Sequence, residues 1–67
     1  MMTVTFYSKV DNTMFTQQGV DLLGQTQVKD NGRWRKVWAM NIWDDENGDK
    51  TVTLPVKDYD LFRVREA

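Results

Sequence analysis

Three groups of side chains in this chain have types and spacings that could do chemistry. The first is the acidic run Asp44-Asp45-Glu46-Asn47-Gly48-Asp49. An EF-hand loop needs oxygen ligands at alternate positions ahead of its glycine and a glutamate at its twelfth position. With Gly48 as that glycine, the first position falls on Trp43 and the twelfth on Leu54, so the run reads as a hairpin tip and not a calcium loop. The second group is the carboxylate pair Asp58 and Asp60, either side of Tyr59. Such a pair does acid–base work or holds magnesium only with a third ligand, or with an apolar pocket that shifts a pKa. The sequence places neither beside them. The third group is Arg33, Arg35 and Trp43. Arginine and tryptophan are enriched at binding hot spots, and the same pair can hold a phosphate and stack a base.

What the sequence lacks narrows the choice. It has no Cys, which removes thiol nucleophiles, thiolate metal sites and disulfides. It has no His, the commonest general base and metal ligand. Gly19, Gly24, Gly32 and Gly48 are scattered and form no phosphate-cradling loop. The expectation is a protein that is not an enzyme and uses neither cofactor nor metal.

The elements that would position the Arg–Trp group must fit in one small domain covering residues 1–67, with 40% hydrophobic residues. The longest apolar run, Val37 to Met40, is far too short to span a bilayer, and no basic-then-apolar leader is visible. With Cys absent as well, a cytoplasmic setting without membrane contact is expected. The formal net charge of -1 does not suit a dedicated nucleic-acid binder. The charge is uneven, however. Between residues 29 and 43, Lys29, Arg33, Arg35 and Lys36 stand against Asp30 alone, whereas residues 44–60 are acidic.

Val, Thr, Trp, Tyr and Phe alternate with polar residues along most of the chain, the period of half-buried strands. Strands are expected over residues 3–10, 20–29, 33–44, 51–56 and 61–65. Residues 13–18 read as loop or short strand, with one turn of helix capped by Asn12 as the alternative. Asp11-Asn12, Asp30-Asn31-Gly32 and Glu46-Asn47-Gly48 are turns. Counting both hairpin loops as three residues puts Trp34 opposite Val28, Trp38 opposite Gly24, Met40 opposite Leu22 and Ile42 opposite Val20. On the other side Ile42 meets Val52, Met40 meets Leu54 and Trp38 meets Val56. A two-residue first loop would pair Asp30 with Arg33 but set Asp21 against Ile42.

The expected core is therefore Trp34, Trp38, Met40 and Ile42, with Val20, Leu22, Val28, Val52, Leu54 and Val56, joined by Val4, Phe6, Phe62 and Val64. Pro55 marks a strand end, bend or edge. A three-stranded meander, a short turn near residues 57–60 and a closing strand resemble the layout of SH3-like small barrels. The resulting expectation is an all-β, five-stranded curled antiparallel meander of SH3-like form, with an α+β arrangement as the alternative.

This register leaves Arg33, Arg35, Val37, Ala39, Asn41 and Trp43 on the free face, beside Gln25, Gln27 and Lys57. The expected function is a non-catalytic protein-interaction module. Its partner, another protein, would bind through that polar-aromatic face, at Arg33, Arg35, Asn41, Trp43, Gln25, Gln27 and Lys57, or through a strand edge. The alternative is a nucleic-acid-binding small barrel using Arg33, Arg35, Lys36, Arg63 and Arg65 with Trp43. The chain is expected to act as a monomer or homodimer.

Overall fold

The computed structural model describes residues 1–46 and 48–66, and of Asp44 the backbone alone. Five antiparallel strands form one sheet: β1 (Met2–Ser8), β2 (Thr13–Asp30), β3 (Arg33–Asp44), β4 (Gly48–Pro55) and β5 (Tyr59–Glu66). The sheet order is β4-β3-β2-β1-β5. The fold is the all-β curled meander expected. The ladder stays open between the edge strands β4 and β5, so the sheet does not close as a hydrogen-bonded barrel. Residues 13–18 continue β2 as strand, and the helical alternative is not adopted.

The curl follows from β2. Eighteen strand residues would run roughly 60 Å if straight, yet the whole molecule measures 35 Å along its longest axis. The strand bends at two irregularities, one where β1 pairs between Met2 and Val4, the other between Leu22 and Gly24. Gly19 and Gly24 stand at these points with φ of 69° and 96°. At the second, Leu23 is the extra residue of a bulge, and the backbone beyond it needs a conformation that side chains disfavour.

That bulge also settles the first hairpin. Asn31 and Gly32, both at positive φ, form a two-residue loop, and Asp30 pairs with Arg33. Two positive-φ central residues match the right-handed twist of the flanking strands. From the turn to Gly24 the register is therefore offset by one from the expected pairing. Trp34 meets Lys29, Lys36 meets Gln27, and Trp38 meets Gln25 instead of Gly24. The bulge absorbs the offset, so Leu22–Met40 and Val20–Ile42 pair as expected. Asp21 faces Asn41, not Ile42.

In the second hairpin the partner of each β3 residue is two positions earlier in β4 than expected. Asp44 pairs with Gly48, Ile42 with Lys50, Met40 with Val52 and Trp38 with Leu54. Gly48 already belongs to β4, at φ 75°, and Asn47 of the expected Glu46-Asn47-Gly48 turn lies outside the described residues. A shift of two keeps every side chain on its face, so the apolar sorting survives. It also releases Val56 from the ladder.

The core is Val4, Phe6, Val20 and Met40, all fully enclosed. Met2, Leu22, Trp38, Ile42, Val52, Leu54, Tyr59 and Leu61 pack around them. Phe6 stacks on Phe15 at 5.7 Å and meets Trp38 edge-on at 5.9 Å. Phe15 meets Tyr59 edge-on, and the Trp38 indole Nε1 donates to the Tyr59 carbonyl at 3.0 Å. These contacts fasten the start of β5 to the centre of β3.

Several expected positions are corrected. Trp34, Phe62 and Val64 are exposed. Phe62 is the extra residue where β5 shifts register against β1, so it leaves the core face. Val10 lies beyond the end of β1 in the exposed turn. Val37 and Ala39, placed on the free face, are buried. They are small side chains on β3, an interior strand, between Thr26 and Pro55 and between Gly24 and Thr53 respectively.

Candidate functional site

The β2–β3 hairpin outruns its neighbours. On one side β1 pairs with β2 only from Thr13 to Val20. On the other, β4 ends at Pro55, opposite Val37. Proline has no N–H to donate, so the ladder stops there. One further bond, from Val56 N to the Lys36 carbonyl at 3.1 Å, ties the chain to β3 before it turns away. That turn is closed by Asp58 N donating to the Pro55 carbonyl, also at 3.1 Å. The last part of the hairpin thus projects as a two-stranded ribbon.

Where β4 stops, a groove of about 450 Å³ opens. It is lined by Arg33, Trp34, Arg35 and Lys36 of β3 and by Pro55, Val56 and Lys57. Trp34 is 66% exposed. Arg35 Nε lies 3.7 Å from Asp30 Oδ2, a solvated pair across the ribbon. Among the described residues Arg33, Lys36 and Lys57 make no ion pair. The groove therefore combines a cationic wall, an exposed ring and an apolar floor of Pro55 and Val56.

The expected site residues divide. Arg33, Arg35 and Lys57 meet at this groove. Gln25 and Gln27 do not share the face of Arg33 and Arg35: the one-residue offset pairs them with Trp38 and Lys36, and Thr26 and Val28 take their place. They line a separate shallow hollow with Thr26 and Lys36. Asn41 is engaged inside the sheet, accepting from the Thr51 hydroxyl at 2.8 Å. Trp43 is exposed, but its Nε1 donates to Asp45 Oδ1 at 2.9 Å and it borders a second hollow with Gln17, Asp45, Glu46 and Lys50. Ten strand residues separate Arg33 from Trp43, a span of up to roughly 33 Å, so they do not grip one small ligand.

Sequence reasoning placed Trp34 in the core and so missed it as a site residue. The available signal was Pro55: a ladder that must stop there leaves the start of β3 without a neighbour.

Asp11, in the β1–β2 turn, is held below the ordinary carboxylate value by the Thr13 hydroxyl at 2.8 Å and by the Ser8 hydroxyl. The same turn is tied to β1 by the Tyr7 hydroxyl, which donates to Asn12 Oδ1 at 2.6 Å. Among the described residues no three His, Cys, Asp or Glu side chains group to hold a metal ion, and no helix is long and apolar enough to cross a membrane. Comparison with known proteins returns no matching family model, no matching curated protein and no matching solved structure. The functional reading therefore rests on geometry alone.

Proposed function

We propose that the chain is a non-catalytic protein-interaction module whose partner docks at the groove of the β2–β3 ribbon. The observation that carries this reading is Trp34, exposed on the same face of β3 as Lys36 and in a groove that Arg33 and Lys57 also line; among the described residues these three cations make no ion pair. An indole left in water loses the benefit of burial, about 25 cal/mol per Å² of apolar surface. Covering it while neutralising three cations favours association, and Trp and Arg are the usual anchors of interfaces.

A second reading has its own support: a flat ring beside cations is also what stacks a base and holds its phosphate. The partner would then be single-stranded nucleic acid, on a small SH3-like barrel. The strand order and the bends in β2 support that kinship of form. Absence of Cys fits a cytoplasmic setting.

The test is affinity capture from native host extract with the wild-type chain, Trp34→Ala and Trp43→Ala, each with and without nuclease. Capture should be lost with Trp34→Ala, kept with Trp43→Ala and indifferent to nuclease. Loss on nuclease treatment would transfer the assignment to nucleic acid. Capture that survives Trp34→Ala would remove the groove as the site.

A further inference from the structure

We infer that the groove takes an extended acidic peptide segment, which adds to β3 as a short strand along the line that β4 abandons at Pro55. This rests on the reading above and specifies the partner's chemistry.

The backbone supplies the first part of the argument. The Lys36 carbonyl receives Val56 N–H, so the Lys36 peptide group faces the β4 side of β3. In an antiparallel ladder the residue two positions away presents its N–H and C=O to the same side. That residue is Trp34, and β4 has ended before reaching it. The next residues, Val56 to Asp58, leave through the turn closed on the Pro55 carbonyl. The start of β3 is thus a strand edge with a vacant neighbouring track, the element that peptides extend by strand addition.

The side chains specify the occupant. Along β3, Arg33 and Arg35 project to one face, and Trp34 and Lys36 to the other. Lys57 joins from the turn, and Pro55 and Val56 supply apolar surface at the groove's end. A strand laid there would place alternate side chains toward the guanidiniums and the others against the indole. The segment that fits carries carboxylates at alternate positions with apolar residues between them. A polynucleotide would also meet the cations, but it leaves the open N–H and C=O of Trp34 without a strand partner.

The experiment is an amide NMR titration of the full chain with three probes. These are an eight-residue peptide alternating Glu and Val, the same peptide with Lys for Glu, and an eight-nucleotide oligothymidylate. The Glu–Val peptide should shift the Trp34 and Lys36 amides saturably below about 1 mM and slow their hydrogen exchange. The Lys–Val peptide should leave them unmoved. The double variant Arg33→Glu, Lys57→Glu should exchange this preference while the rest of the spectrum stays native. Equal response to both peptides, or no response to the Glu–Val peptide, overturns the inference. A response to oligothymidylate alone also overturns it, while leaving the groove as a binding site. Silence of the groove toward all three probes counts against both readings.

Discussion

Replacing Gly24 with Ala isolates the bulge on which the curl depends. Gly24 has φ of 96°, and a Cβ built there meets no atom within 4 Å. Steric collision therefore contributes nothing, and the cost is that of the backbone alone. Holding an L-residue in a left-handed conformation costs about 1–2 kcal/mol. The reduced freedom of the unfolded chain returns about 0.4–1 kcal/mol. The net loss is at most about 1.6 kcal/mol, with a midpoint of about 0.8, against a total of about 3–10 kcal/mol for a chain of this length. A loss of about 1 kcal/mol lowers Tm by roughly 4–8 °C. Urea unfolding of wild type and Gly24→Ala should show the midpoint falling at constant slope, which means lost stability without a change in surface exposed on unfolding. A higher midpoint would show that the backbone at residue 24 is not left-handed. The account of how a two-residue turn and the Leu22–Met40 pairing coexist would then fail.

Three other outcomes follow from particular contacts. Trp38→Phe removes the indole donor from the half-buried Tyr59 carbonyl and should cost about 1–3 kcal/mol by urea unfolding; a neutral result would mean that β5 is not fastened there. Phe6→Ala empties the centre of the core and should cost about 3–5 kcal/mol, enough to leave much of the chain unfolded at 37 °C, as circular dichroism would register. Asp11 is held down in the folded state by the Thr13 and Ser8 hydroxyls. Its contribution to stability is thus present above the ordinary carboxylate range and lost as pH falls through its lowered folded value. Thr13→Val should move the Asp11 carboxyl titration, followed by carbon NMR, back toward the ordinary value, and a curve that stays put would remove that hydroxyl as the cause.

The faces of the strands were legible in the sequence because side-chain alternation survives any even shift of register. Trp38, Met40 and Ile42 point to the core although Ile42 pairs with Lys50 and not Val52. The placement of Gln25 and Gln27 was not legible. An unbroken register from the Asp30–Gly32 turn to Val20 has two incompatible solutions in the sequence. The Asn31-Gly32 loop is right near the turn, and the Leu22–Met40 pairing is right at the far end, because Gly24 permits a bulge between them. An isolated glycine in a strand pattern is the usual mark of such a bulge.

The candidate site was half legible. Arg33, Arg35 and Lys57 converge on the groove, but the ring beside them is Trp34 and not Trp43. Trp34 has the parity of a core residue. Its exposure depends on where β4 stops, and parity along β3 carries no information about the length of its neighbour.

The central claim is that the β2–β3 ribbon holds Trp34 out in solvent in a groove lined by cations while Trp38 anchors the core. Hydrogen exchange at the two indole Nε1–H groups, followed by NMR on the free protein, tests it directly. The Trp34 indole should exchange at nearly the rate of a free side chain, and the Trp38 indole should be protected through its bond to the Tyr59 carbonyl. A protected Trp34 beside a freely exchanging Trp38 would contradict both the fold at this end of the sheet and the site built on it.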